Sequence, residues 1–507
     1  MDIRIRPPAS DFQLLNFGLV REFRLPQRKG HPSLCAVSYV PNPWMMLPFG
    51  LLLAAIALAP LVAPLWWEKH YAKVSIALAL VTLSYYLFYL PAAARHTAMH
   101  TAAEYVSFIA LIGSLFVVSG GIHINVKGEA TPLANVVFLL IGAIAANVLG
   151  TTGASMLLIR PWLRMNKYRV TSHHVVFFIF IVSNIGGCLT PIGDPPLFLG
   201  YLKGIPFWWV AEHCWPMWAV GLAVLLLMFY VVDLRNYRRA PKPVRAKLAE
   251  PSDQWRCEGL WNIGFLALIL VAVFISDPPF VREALMIVAA AGSYFTTRKS
   301  VHQSNHFNFH PIQEVAILFI GIFATMMPAL DWLQMNASKM DHPTPGFFYW
   351  GSGLLSSVLD NAPTYLSFLS AIFGAFINSD TINQVQHLVQ NGGLDLAAAS
   401  EPVRHTFEAL QQYHPAALAR HSISLEQIEV AFLLGNAQFN KYLVAISVGA
   451  VFFGANTYIG NGPNFMVKSI ATHQKVHTPD FLSYIWKYAL PCMFPMLLLV
   501  WWIFFRQ

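Results

Sequence analysis

The chain has 507 residues, of which 56% are hydrophobic, 14% aromatic and 11% charged, with a formal net charge of +8. A soluble domain carries roughly a quarter charged residues, and 33 Lys+Arg with 25 Asp+Glu cannot coat a chain of this length. This excludes a soluble enzyme, a disulfide scaffold and a nucleic-acid binder, because excess Lys and Arg in so apolar a chain orient loops across a bilayer. The lipid bilayer is the first expected partner.

Residues 1–43 form a polar N-terminal extension with Arg4, Arg6, Arg21, Arg24, Arg28 and Lys29, lacking the order of a secretory signal. A spanning helix needs about 20 mostly apolar residues. Clear candidates run approximately over 44–66, 73–92, 104–124, 207–232, 260–277, 280–297, 312–330 and 481–505. Stretches 133–162 and 346–377 are too long for one upright span, and each is interrupted at its middle. The first interruption is Gly150-Thr151-Thr152-Gly153-Ala154-Ser155. The second is Ser356-Ser357-Val358-Leu359-Asp360-Asn361-Ala362-Pro363-Thr364. Irregular backbone facing lipid leaves polar groups unpaired, so such breaks survive only inside protein or beside a watery cavity. Both stretches are expected to be re-entrant hairpins. Stretches 172–203 and 430–472, with Gly/Pro/Asn-rich breaks, are expected to be discontinuous helices.

The two helix breaks repeat one another. Gly187-Cys188-Leu189-Thr190-Pro191-Ile192-Gly193-Asp194-Pro195-Pro196-Leu197-Phe198 matches Gly454-Ala455-Asn456-Thr457-Tyr458-Ile459-Gly460-Asn461-Gly462-Pro463-Asn464-Phe465, with Asp194 facing Asn461. In both halves a hairpin precedes the broken helix and one long helix follows, as in transporters with internal repeats. The expected fold is an all-α polytopic membrane protein with two inverted repeats, 44–232 and 260–507. Each repeat has spanning helices, a re-entrant hairpin and a broken helix, about ten spans plus two hairpins in all. Between them lies a basic linker, 233–259, which the positive-inside rule assigns to the cytoplasm with Arg164, Lys167, Arg169, Arg298 and Lys299. An insertion at about 378–429, acidic on balance, is expected outside. The same trace leaves the basic extension outside, against that rule.

Asp194 and Asp360 are the sharpest features. An Asp at the bilayer centre costs about 2.5–3.5 kcal/mol on insertion scales and marks function by default. The alternative for each is capping the half-helix that follows, and the Gly-Asp-Pro-Pro setting of Asp194 suits a cap. Asn184, Asn361, Asn456, Asn461, Thr190 and Thr457 supply neutral oxygens near these carboxylates. So do the hairpin-tip residues Thr151, Thr152, Ser155, Ser357 and Thr364. Hard cations take such ligands, although each group could instead satisfy backbone freed by the breaks. Asp360 is expected to hold either a proton or a Na+ shared with Asn361 and Asn184, with Asp194 as the second candidate. Gly187, Gly193, Gly454 and Gly460 are expected to allow turns that a Cβ would hinder. Glu104, Glu314, His173 and His174 are expected at membrane interfaces, and Lys441 is expected to snorkel. The five scattered cysteines lack CxxC spacing and the histidines of the insertion match no metal motif. Neither a transition-metal site nor a cofactor is therefore expected.

Three motifs carry a family resemblance: Ser183-Asn184-Ile185-Gly186-Gly187 with Thr190-Pro191-Ile192-Gly193-Asp194, Leu359-Asp360-Asn361-Ala362-Pro363-Thr364, and the 454–464 break. They resemble the ion transporter superfamily, in its citrate-transporter-like branch of the sodium:proton antiporter type, over about residues 70–505. The resemblance implies that hairpin tips and helix breaks form the ion and substrate sites, and that the protein is a homodimer through scaffold helices. The superfamily's dicarboxylate branch has Ser-Asn-Thr at both tips. Here the tips read Thr151-Thr152-Gly153 and Asp360-Asn361-Ala362.

The expected function is a secondary active transporter exchanging Na+ (or Li+) for H+ in a bacterial inner (cell) membrane. The alternative is a cation-coupled symporter of citrate or another di- or tricarboxylate. Two unit charges 4 Å apart interact by about 4 kcal/mol at an effective dielectric near 20. Asp194 and Asp360 would therefore repel a carboxylate, and neither break holds an Arg or Lys to offset them. No HExxH or GxSxG motif suggests an enzyme.

Overall fold

The computed structural model describes residues 39–125, 131–239, 256–275, 278–340, 343–390, 396 and 399–506. Residues 1–38 of the expected extension and 240–255 of the linker lie outside the described residues. Helix dominates the rest, with one antiparallel strand pair, His123–Asn125 against Arg256–Glu258. Seven described helices are long and apolar enough to cross a membrane. They are Pro43–Pro60, Pro64–Tyr89, Ala92–Gly120, Pro132–Met165, Trp209–Arg239, His310–Lys339 and Phe481–Phe504. The expected spans 260–277 and 280–297 are helices of 12 and 16 residues, Asn262–Val273 and Val281–Thr296.

Two helices begin earlier than their apolar windows. Pro64 and Pro91 start them without losing a needed N–H, so polar residues ahead of the apolar core join the first turns. Glu104 consequently lies inside the helix Ala92–Gly120. It is buried, and its carboxylate sits 2.7 Å from Lys203 Nζ.

Pro132–Met165 has 34 residues, about 51 Å if straight. It is not straight: Gly150 adopts φ 74° and ψ 155°. Asn135 and Asn166 exchange side-chain hydrogen bonds of 2.9 and 3.0 Å, which brings both ends of the stretch together as a hairpin. Gly150 is required there, since a Cβ would meet Ile192 O at 3.2 Å in a φ region that L side chains avoid. The second hairpin pairs Pro345–Val358 with Asn361–Phe376. Phe348, near its start, meets Phe376, at its end, with ring centroids 6.3 Å apart.

The helix breaks separate Ser172–Ile181 from Pro195–Leu202, and Ala437–Phe453 from Gly462–His473. Each contains one 3-10 turn, Ile185–Gly187 and Gly454–Asn456. Gly193 packs directly on Gly187, and a Cβ on Gly460 would lie 2.6 Å from Gly454 O. None of these four glycines has positive φ. Close approach of backbone, rather than a left-handed turn, is what excludes a side chain.

The insertion is helical. Ser379–Gln390, Glu401–Tyr413 and Leu425–Leu434 share a small core that includes Ile382, Val385, Phe407, Leu410 and Ile428. His173 and His174 are buried, with Nε2 atoms 3.4 and 3.2 Å from Asp233. These three side chains have metal-ligand spacing. However, Arg169 grips both Asp233 oxygens, and Asn135 donates to Oδ2 at 2.8 Å. The cluster is a buried ion-pair clamp joining the first hairpin, the first broken helix and the helix Trp209–Arg239.

Candidate functional site

Asp194 occupies the cap position of Pro195–Leu202, yet its side chain makes no capping hydrogen bond. A capping carboxylate takes the N–H of the second or third helical residue. Here the second is Pro196, which has no N–H, and the third, Leu197, gives its N–H to the Asp194 backbone carbonyl at 3.1 Å. The carboxylate turns instead into the protein, where the residue is 1% exposed. Oδ1 accepts from Thr151 Oγ1 at 2.8 Å and Asn461 Nδ2 at 3.1 Å, and Oδ2 accepts from Asn361 Nδ2 at 2.6 Å. One carboxylate thus ties the first break to both hairpin tips and to the second break. All three partners are neutral, so they orient the charge without cancelling it.

The breaks also cross directly. Asn461 Nδ2 lies 3.2 Å from Asn184 Oδ1 and 3.1 Å from Ser183 O, and Asn184 Nδ2 donates to Asn464 Oδ1 at 2.7 Å. Beside Asp194, the Asn361 Oδ1 atom is buried without a hydrogen-bond partner. An unsatisfied buried acceptor costs about 1–3 kcal/mol, and a cation or a proton on the adjacent carboxylate would relieve it.

The same tethers recur in both halves. Thr190 Oγ1 donates to Asn147 O at 2.5 Å and accepts from Gly193 N at 3.0 Å. Thr457 Oγ1 donates to Ser357 O at 2.6 Å and accepts from Gly460 N at 3.0 Å. Asn456 Nδ2 adds a 2.9 Å bond to Ser357 Oγ, and Thr151 N one of 2.7 Å to Gly193 O. Freed break carbonyls find donors, as buried backbone requires. Gly186 O accepts from Asn147 at 2.7 Å and Trp218 at 3.1 Å, Gly454 O from Asn464 at 2.8 Å, and Ala455 O from Tyr484 at 2.7 Å.

The structure therefore brings Asp194, Asn361, Asn461, Thr151 and Asn184 together. Thr190, Asn456, Thr457 and Ser357 brace the tips one step away. Ser155 meets Ser183 at 2.7 Å, linking hairpin to break. Thr364 bonds to Asp360 O within its own helix at 3.0 Å, and Thr152 takes no part in these contacts. Asn147 and Asn464 were not singled out by the sequence. Asn147 precedes its tip residue Thr151 by one helical turn, as Ser357 precedes Asn361, and that matched spacing is the signal that could have found it.

Asp360 plays a different part. Its carboxylate caps the second arm, accepting from Ala362 N at 3.1 Å. The half-buried residue also lines a cavity of about 1090 Å3, together with Asn461, Arg160 and Lys468. Arg160 comes from the second arm of the first hairpin and Lys468 from the helix Gly462–His473. Both lie outside the break motifs, so the positive charge near the site is invisible in the motifs themselves.

No curated protein matches this sequence. Residues 39–505 match the profile of a family described as "Putative citrate transport". That range includes both hairpins, both breaks and the cavity between them. The apolar helices and this match make the protein an integral membrane protein, and the chain belongs to that citrate-transporter-like family.

Proposed function

We propose that the protein is a secondary active transporter that moves a carboxylate across the cell membrane together with a cation, Na+ or H+, held at Asp194. The observation carrying this reading is the Asp194 crossing point: a buried carboxylate with three neutral donors, next to the unpartnered Asn361 Oδ1. An unloaded carboxylate at this depth is a buried charge whose effective penalty is several kcal/mol. Loading a cation or proton removes that charge, which ties movement of the site to loading and gives coupling. The recurring Thr190 and Thr457 tethers support two inverted repeats around this point. Rocking the hairpins and broken helices against the remaining helices would open the site alternately to each side. The family description supports the carboxylate.

Na+/H+ exchange is the second reading. Asp360 favours it, because a carboxylate on the cavity wall repels an anionic solute. Proteoliposomes separate the two. Symport requires labelled citrate to accumulate only under an inward Na+ or proton gradient. Exchange requires Na+ to move lumenal protons with no citrate present, and no citrate to accumulate.

A further inference from the structure

We infer that Arg160 and Lys468 together anchor the transported anion, and that the anion carries at least two carboxylates. This rests on the carboxylate reading above and deepens it to two named contacts. Charged side chains at membrane depth are costly and face a partner or a watery cavity. Both cations face the same cavity of about 1090 Å3, and neither makes an ion pair among the described residues. The Arg160 guanidinium has only a 3.4 Å contact to Met156 O, one turn back on its own helix. Lys468 Nζ lies 4.3 Å from the centroid of the Tyr458 ring. Such packing holds a cation in place and leaves its donors available.

The helix carrying Lys468 packs against the first hairpin, whose second arm carries Arg160. Glu68 and Glu314 line it from the helices Pro64–Ser84 and His310–Asn336. With Asp360 they repel an anion from their own parts of the wall, which leaves Arg160 and Lys468 as its attractive contacts. Asp360 and Asn461 lie on the same cavity and connect it to the Asp194 crossing point. Guanidinium pairs with one carboxylate in a bidentate fork, while the ammonium acts as a point charge. Two separate cations therefore select a dicarboxylate or tricarboxylate over a monocarboxylate of similar bulk.

The test uses the full chain in proteoliposomes. Uptake KM is measured for citrate, succinate and acetate in wild type, Arg160→Gln, Arg160→Lys and Lys468→Gln. The Na+-dependent thermal shift of each purified protein reports on fold and ion site. Wild type should take up citrate or succinate in preference to acetate. Arg160→Gln and Lys468→Gln should each raise the KM for that substrate about tenfold or more, with the Na+ shift retained, and Arg160→Lys should recover part of the loss. If Arg160→Gln fails to fold, the half-buried Lys468 still decides the matter. Uptake by wild type with KM unchanged within twofold in the Gln variants overturns the anchor and leaves the carboxylate reading standing. Wild type that takes up no carboxylate overturns both.

Discussion

Replacing Asp194 by Asn and by Ala should give opposite outcomes, and the hydrogen bonds explain why. Oδ1 receives Thr151 and Asn461, and Oδ2 receives Asn361. In Asp194→Asn the amide oxygen can keep the first two donors. The new NH2 would face the Asn361 NH2, but turning the Asn361 amide over presents its unpartnered Oδ1 instead. One buried group of Asn361 lacks a partner before and after that turn, so stability should change by no more than about 1 kcal/mol. Asp194→Ala strands the buried Thr151 and Asn361 donors at about 1–3 kcal/mol each, while Asn461 keeps Ser183 O and Asn184 Oδ1, so it should be destabilised by several kcal/mol. Both variants remove the charge. A unit charge 4 Å away contributes about 4 kcal/mol at an effective dielectric near 20, nearly a thousandfold in affinity. Purified protein titrated with NaCl and followed by thermal unfolding tests both halves. Asp194→Asn should unfold near the wild-type temperature with the Na+ response gone, and Asp194→Ala should unfold well below it. An Asp194→Asn protein with an intact Na+ response, or one as unstable as Asp194→Ala, refutes the reasoning.

Gly460→Ala should lower unfolding temperature and folded yield, because its Cβ would press on Gly454 O at 2.6 Å and neither backbone segment is free to move. Asp233→Asn removes the negative charge that faces Arg169, His173 and His174, and should lower stability in thermal or denaturant unfolding. Asp360→Asn should unfold like wild type, since Asn caps a helix as well as Asp does. In the insertion, burial and the nearby Glu426 push the Glu429 carboxyl up to about 7. The native state then binds more protons than the unfolded chain between about pH 4.5 and 7, so stability falls as pH rises through that window. Glu429→Gln should flatten this decline in a pH series of unfolding temperatures.

Much of the fold is legible in the chain because polar, glycine-rich breaks inside apolar runs have few physical solutions. The hairpins at Gly150 and Asp360 and the breaks before Pro195 and Gly462 follow from that constraint. Helix starts were less legible, since Trp66–His70 and Arg95–His100 look like loop by hydropathy while Pro64 and Pro91 nucleate helix ahead of them. The different parts of the two aspartates have a local cause in the residues that follow them. Asp-Pro-Pro suits a cap position, but Pro196 removes one of the two N–H groups that a capping side chain would take and Leu197 N serves the Asp194 backbone carbonyl, which leaves the carboxylate for other work. Asp360 is followed by Asn361 and Ala362, whose N–H groups are available, and it does cap. What no local pattern could supply is the meeting of Asp194 with Asn361 and Asn461, or of Arg160 with Lys468 on one cavity. Those pairings come from segments far apart in the chain and depend on how the two halves interlock.

Accumulation of labelled citrate in vesicles containing wild-type or Asp194→Asn protein tests the central claim most directly. Wild-type vesicles should concentrate citrate above equilibrium under an inward Na+ or proton gradient and stop when ionophores collapse both. Asp194→Asn vesicles should not concentrate it under any gradient. Wild-type accumulation that survives the ionophores, or Asp194→Asn accumulation equal to wild type, would contradict a coupling ion held at Asp194.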